Sequence, residues 1–193
     1  MKPIKPFLSL IAFALLLAPS ITAAELSLGS LFQDHVVLQR DMAVPVWGTA
    51  EAGQSVAIEF AGQSKQATAD DQGKWVIKLD AMPASAEGRT LTVSAGDATA
   101  KVADVLVGEV WICSGQSNMA FGLAGSVNGK EAIEAAGDAQ LRLFNAGARA
   151  VDEPQATIGG TWQVDSPQSA GSFSAVGYFF GKHLREHVGV PVG

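Results

Sequence analysis

A short serine-rich segment is the clearest candidate for chemistry in the chain. Residues 113–119 read Cys-Ser-Gly-Gln-Ser-Asn-Met and overlap an apolar run that predicts a buried strand over Val110–Cys113. Sites of open α/β sheets gather at the carboxyl ends of strands, so Ser117 is a candidate nucleophile there. Gly115 permits a tight turn, and the Ser117 backbone N–H with the Asn118 amide could hold an oxyanion. The same residue types also fit a capped turn without chemistry.

The segment resembles the signature of a known family. Gly108–Met119 is similar to the motif of the sialate O-acetylesterase family, a branch of the SGNH hydrolases. Further segments that resemble family members are residues 31–40, 44–48, 104–108, 173–181 and 189–193. The resemblance implies a serine esterase that removes acetyl groups from sugar hydroxyls through an acyl-enzyme on Ser117. It also places Gln116 and Asn118 in the oxyanion and substrate site, and it implies no metal or organic cofactor.

The proton acceptor of such a reaction is not evident in the sequence. The resemblance implies a histidine in an Asp-x-x-His motif, together with a later glycine and asparagine in the oxyanion hole. No aspartate stands three residues before any of the three histidines. We therefore expect the catalytic Asp and His beyond residue 193 and predict that this chain alone is inactive. Ala120 and Phe121 stand where the family often has an acidic and then an aromatic residue, which bears on acyl or sugar preference.

Three other motifs favour structural roles. His183–His187 matches a His-x-x-Glu-His zinc pattern, but a third ligand is needed and only six residues follow. Gly125–Lys130 is one residue short of a phosphate loop and has no Ser or Thr after the lysine, so it predicts a turn before a helix. Asp34 and His35 lie in a turn-like setting rather than in an evident acid–base site.

The chain changes character near residue 104. Residues 25–104 show short alternating runs between glycine-rich turns, which predicts an N-terminal β-sandwich. The strands are expected at Val44–Trp47, Ser55–Phe60, Lys74–Leu79 and Arg89–Ser94. Residues 105–193 alternate strand and helix and predict the start of a three-layer α/β domain of flavodoxin-like, SGNH type, which we expect to be incomplete.

The second part contains the best helix signal. We expect a short helix over Gly129–Ala136, a strand over Leu141–Phe144 and a long helix over Ser174–His187. Ser172 or Ser174 would cap the long helix, and Gly189 would end it. The apolar side chains predicted to form its buried side are Val176, Phe179, Phe180 and Leu184.

The four tryptophans support an alternative, a non-catalytic secreted carbohydrate-binding protein. Aromatic rings on a β-sandwich can stack on sugars. Trp75 alternates in phase with Ile77, and we expect it in the core. Trp111 falls in the predicted buried strand, and the sequence leaves Trp47 and Trp162 undecided.

The composition and the N-terminal sequence indicate which classes of partner and which location to expect. With 13 basic and 19 acidic side chains the chain does not suit nucleic acid, which requires a basic surface. Residues 1–24 begin with lysines and continue with an apolar run too short to span a bilayer, which predicts a cleaved signal peptide. We therefore expect a periplasmic or extracellular protein without stable membrane insertion, acting on an O-acetylated sugar. In that oxidising setting the lone Cys113 should be buried, or else it is a liability.

Overall fold

The computed structural model describes residues 25–147, 151–153 and 155–193. The predicted signal peptide, residues 1–24, lies outside the described residues. None of the helices in these ranges combines the length and apolar character that a membrane crossing requires.

Eight strands make up the first part of the chain. They are β1 (Ser27–Leu28), β2 (Val37–Gln39), β3 (Val44–Thr49), β4 (Ser55–Phe60), β5 (Gln63–Thr68), β6 (Lys74–Leu79), β7 (Ser85–Ala95) and β8 (Ala98–Gly108). In β6 every second side chain is buried, which is the period that predicted it. The predictions for β4 and β6 are confirmed to the residue, and those for β3 and β7 fall within longer strands.

Two sheets enclose a common core. One is antiparallel with the order β1-β3-β6, and the other has the order β2-β8-β7-β4-β5 with β2 and β8 parallel. The apolar side chains between them, which we call the first core, include Val46, Ile58, Trp75, Leu79 and Val93. The predicted burial of Trp75 is confirmed. The mixed, β-rich architecture is also confirmed, whereas its assignment as a β-sandwich followed by an SGNH-type domain stays a prediction.

The second part is built from short elements. They are α1 (Ser117–Ala120), a 3-10 turn (Leu123–Gly125), α2 (Gly129–Glu134), β9 (Arg142–Phe144), β10 (Trp162–Val164), α3 (Pro167–Ala170) and α4 (Ala175–Val188). β9 pairs antiparallel with β10. Val192 forms parallel bridges to both Glu109 and Leu141, so residues 191–193 lie between the end of β8 and β9. A second core contains Leu123, Leu141, Leu143, Tyr178 and Val192.

The strand predicted over Val110–Cys113 is wrong. β8 ends at Gly108, and the pairing continues only as the Glu109 bridge and a hydrogen bond from Trp111 N–H to Gly193 O of 2.9 Å. Trp111 is half exposed and Ile112 is 92% exposed, because no described element covers this apolar run on its outer side. Cys113 is exposed as well, so the second of the two alternatives expected from the sequence holds, and the thiol is open to oxidation.

Helix α4 has the predicted ends but the opposite buried side. Ser174 accepts a hydrogen bond from Gly177 N–H at 3.2 Å, and Gly189 at φ 67° ends the helix. The buried residues are Ala175, Gly177, Tyr178 and Gly181. Of the predicted apolar stripe, Val176, Phe179 and Phe180 are exposed, and Leu184 is partly buried against the second core. The small residues allow close contact: a Cβ at Gly181 would lie 3.2 Å from Leu141 Cδ1.

The two cores meet along β8. Trp162 of β10 donates its indole N–H to Leu31 O at 2.9 Å, and its ring packs against the first core. Gly108 lies so close to Pro191 that a Cβ there would overlap the Pro191 carbonyl oxygen. β8 itself runs through Asp104, the predicted end of the first domain, and the division at that residue stays a prediction.

Candidate active site

Ser117 lies at the surface, at the first residue of α1. The preceding residues 110–116 form no regular secondary structure, and Gln116 occupies the N-cap position with φ −121° and ψ −143°, which is neither helical nor extended. Gln116, Ser117 and Asn118 are all exposed. Their side chains make no hydrogen bond with the described residues, nor do the backbone N–H groups of Ser117 and Asn118. The three residues predicted for the site are therefore brought together, and they are open to a ligand.

The N-terminal end of α4 holds α1 in place. Ser174 Oγ, besides capping α4, donates to Met119 Sδ at 3.3 Å. Ala175 N–H donates to Phe121 O at 2.8 Å, and Leu123 N–H donates to Phe173 O at 2.9 Å. These bonds on both sides of Ser174 fix the segment after Ser117. The position of this serine motif thus depends on a helix that begins 58 positions after Ser117 in the chain.

Gly115 matters because it has no side chain, and not because its backbone is left-handed. Positive-φ glycines occur elsewhere in the described chain, and Gly115 is not among them. A Cβ at Gly115 would lie 3.3 Å from the Met119 Cβ, which is tighter than ordinary contact. The glycine therefore allows the segment before Ser117 to approach α1 closely.

A cavity of about 610 Å³ lies beside α1. Its lining is mostly apolar and includes Met119, Leu143, Phe173 and Phe180. The Trp111 and Phe180 rings meet edge to face on its wall, with centroids 5.2 Å apart. Gln116, Ser117 and Asn118 are not among its lining residues.

None of the three histidines is a hydrogen-bond partner of Ser117 in the described structure. His35 Nδ1 lies 2.8 Å from Asp104 Oδ2, next to β8. His183 and His187 are on α4, where His187 Nδ1 lies 2.8 Å from His183 O. Ser117 therefore has no histidine within hydrogen-bond distance among these residues, and nucleophilic chemistry at its hydroxyl would need a proton acceptor.

The three other motifs singled out in the sequence have structural positions in the fold. Within the described ranges no group of three His, Cys, Asp or Glu side chains is placed to hold a metal ion. The phosphate-loop-like segment, residues 125–130, follows the 3-10 turn and leads into α2, with Asn128 at φ 59° and Gly129 N–H donating to Ser126 O at 3.1 Å. The predicted turn before a helix is confirmed. Asp34 accepts from Ala103 N–H at 2.6 Å and so ties its turn to β8.

The first part of the described chain presents no exposed aromatic ring for sugar stacking. Trp75 is buried in the first core, and Trp47 is half buried with its ring edge to face on Phe32, centroids 4.7 Å apart. Trp162 is held by Leu31 at the junction of the two cores, as described above. The two tryptophans that the sequence left undecided therefore have packing partners.

Two polar clusters were missed at the sequence level. Asp104 accepts from Arg142 Nη1 at 2.7 Å and faces His35. Burial raises the pKa of Asp104, but the hydrogen bonds of Arg142 and His35 outweigh it, and the net shift is downward. Tyr178 is fully buried, and burial together with the Asp165 charge raises its pKa to about 12. Neither cluster follows a motif or a period, so no sequence signal marks it.

Comparison with known proteins gives a consistent family likeness. No family model matches the sequence. The sialate O-acetylesterase of Rattus norvegicus is 29% identical over 85% of this chain, and that of Homo sapiens is 27% identical over 92%. A crystal structure of a carbohydrate acetylesterase from Xanthomonas citri matches 86% of this chain with a TM-score of 0.84 and 42% identity. The chain spans 34% and 39% of the length of the two curated relatives and 38% of that of the Xanthomonas structure.

Proposed function

The motif likeness to the sialate O-acetylesterase family is confirmed by these relatives, and from it we propose that the chain carries the nucleophile of a carbohydrate O-acetylesterase. Ser117 Oγ attacks the acetyl carbonyl of a sugar ester and forms an acyl-enzyme. The sugar hydroxyl leaves with a proton, and water then hydrolyses the acyl-enzyme. The substrate class is an O-acetylated sialic acid or related carbohydrate.

The observation that carries the proposal is the accessibility of the Ser117 segment. A nucleophile buried in a core could not meet an ester, whereas Ser117 is exposed and its hydroxyl has no partner among the described residues. The unbonded backbone N–H of Ser117 and the Asn118 amide supply donors next to that hydroxyl. Such donors stabilise a tetrahedral oxyanion when they are fixed in place, and the α4 contacts to Met119 and Phe121 fix them.

The proposed proton acceptor is a histidine outside the printed residues, oriented by an aspartate. The three histidines present have other partners or lie on the exposed side of α4, so none supports a role as base. The relatives are more than twice as long as this chain, which leaves room for such a pair in a longer product. We also propose export to the periplasm or beyond, which rests on the sequence of residues 1–24.

The experiment compares two serines of one loop in the longest product of the gene that contains these residues. With p-nitrophenyl acetate and an O-acetylated sialic acid, Ser117→Ala should lower kcat/KM by at least about 1,000-fold. Ser114→Ala, three residues earlier and also exposed, is the matched control and should keep turnover within about threefold of wild type. Retained activity in the Ser117 variant would refute the nucleophile assignment.

The 193-residue chain alone gives a second result. It should hydrolyse p-nitrophenyl acetate no faster than its own Ser117→Ala variant, because it lacks the proposed base. Turnover that depends on Ser117 in this chain would place the proton acceptor within the printed sequence and refute its proposed location.

A further inference from the structure

Asp104 is the charged contact between the two cores. Its carboxylate belongs to β8, which packs on the first core, and it accepts a hydrogen bond from Arg142 of β9 at 2.7 Å. Arg142 is 4% exposed, and its neighbours Leu141 and Leu143 belong to the second core. A guanidinium this deeply buried requires an opposite charge. Asp104 is the one carboxylate within ion-pair distance of Arg142 in the described chain.

The local backbone is shaped to present this carboxylate. Asp104 has φ 52°, and His35, whose ring nitrogen lies 2.8 Å from it, has φ 71°. Left-handed backbone is less favourable than the ordinary regions for any residue except glycine, although Asp and His adopt it more readily than most. Gly88 on β7 leaves space for the carboxylate, since a Cβ there would overlap Asp104 Oδ1. The pairing of β7 with β8 shifts register at this point, between Arg89 and Leu91.

Few other charges face Asp104. His35 reaches it from the turn before β2, and Arg142 reaches it from β9. On β7, Arg89 and Glu87 pair with each other at 2.6 Å. Arg142 also donates Nε–H to Ala139 O at 3.0 Å, a bond that orients the guanidinium but supplies no net charge.

We propose that Asp104 is an acid-sensitive latch: ionised, it fastens the second core to the first through Arg142, and protonated, it releases the second core to open separately. The proton binds a carboxylate oxygen and leaves the Arg142 charge buried without compensation. Opening of the second core then exposes Arg142 to water, which removes the free-energy cost of burying an unpaired charge. The first core keeps its two sheets and remains folded.

The direction of the pH dependence follows from the charge state. The folded-state pKa of Asp104 lies below its ordinary value, so the carboxylate binds its proton more weakly in the folded than in the unfolded chain. The latch contributes its full stability above the unfolded aspartate pKa and loses it as pH falls through the folded one. Acid therefore opens the second core, and neutral pH closes it.

Hydrogen exchange of the 193-residue chain tests the latch. At neutral pH, Asp104→Asn should raise the exchange rates of β9 and α4 amides by at least about tenfold and leave those of β4 and β6 unchanged. Asp80→Asn is the control, because Asp80 pairs with Lys65 at 2.7 Å within the first part of the chain. Acid should bring the wild type toward the Asp104→Asn pattern. Equal protection in the two proteins, or a uniform loss over both cores, would overturn the proposal.

A double variant covers the case in which Asp104→Asn fails to fold. Arg142→Met removes the buried charge at similar volume, so Asp104→Asn/Arg142→Met should be better protected in β9 and α4 than Asp104→Asn alone. It should also lose the acid-induced opening. A double variant no better protected than the single one would show that Asp104 acts through packing and not through its charge, and the latch would be refuted.

Discussion

The ionisation of Tyr178 gives a direct measure of how tightly the second core excludes water. Tyr178 is the only tyrosine in the sequence, so tyrosinate absorbance reports this residue alone. It has no exposed surface, and its hydroxyl finds no hydrogen-bond partner among the described residues. Burial and the negative charge of Asp165 raise its pKa from 10.0 to about 12. We predict that tyrosinate absorbance in the folded chain rises with a midpoint near this higher value.

The raised pKa of Tyr178 also makes the free energy of unfolding fall at high pH. Two pKa units correspond to about 3 kcal/mol of preference for the neutral phenol in the folded state. In the unfolded chain the phenol ionises near pH 10, so unfolding is favoured as pH rises from there through the folded pKa. A loss of about 3 kcal/mol is a large part of the 5–15 kcal/mol that holds a domain together. Alkali should therefore ionise Tyr178 and unfold the second core in the same pH range.

Two variants identify the titrating group and separate the effect of burial on its pKa from that of the Asp165 charge. Tyr178→Phe removes the titrating group, and its difference from wild type isolates the tyrosine from lysines that titrate in the same range. At neutral pH it should match wild type within about 1 kcal/mol, because the hydroxyl it removes makes no hydrogen bond of good geometry within the described residues. Asp165→Asn should lower the midpoint but keep it above the ordinary value, since burial is the larger cause. A midpoint near 10 in a chain that circular dichroism shows to be folded would refute the burial of Tyr178.

Three further substitutions, in α4 and in the second core, are measured by urea unfolding. Ser174→Ala should cost about 1 kcal/mol through the lost cap of α4, and an unchanged midpoint would contradict the capping role. Leu123→Ala should cost about 2–5 kcal/mol, because its side chain is completely buried. Val176→Ser, on the exposed side of α4, should cost no more than about 0.5 kcal/mol. If its cost equals that of Leu123→Ala, the buried side of the helix is misassigned.

The sequence predicts the elements best where the pattern is local. Large apolar side chains recur at every second position, as Val56, Ile58 and Phe60 in β4 and as Trp75, Ile77 and Leu79 in β6, and both predictions match the strands to the residue. The ends of α4 follow from Ser174 and Gly189, whose capping geometry depends on a few neighbouring residues. Trp75 was placed in the core for the same reason, because its phase on β6 matches that of Ile77.

Hydrophobicity was a poor guide to which surfaces meet. On α4, Phe179 and Phe180 are larger and more apolar than Ala175 and Gly181, yet the small residues face the core. Gly181 on the contact side lets the helix approach Leu141 closely, and Tyr178 is buried in the same core. Which side of α4 is buried depends on the distance between α4 and its neighbours, and no residue pattern within α4 encodes that distance. The exposure of residues 111–113 has the same cause, since burial needs a partner element as well as an apolar sequence.

The candidate site shows the same division between local and distant information. The serine segment marks Ser117 by motif, but the rigidity on which oxyanion stabilisation depends comes from Ser174 and Ala175, which contact α1 from the start of α4. α4 shares the second core with Leu143 of β9, and β9 is joined to β8 through Arg142 and Asp104. A weakened Asp104 contact should therefore disturb the Ser117 segment without touching it. An ester hydrolase built on this chain would lose turnover in acid for two separable reasons, protonation of its base and release of its second core.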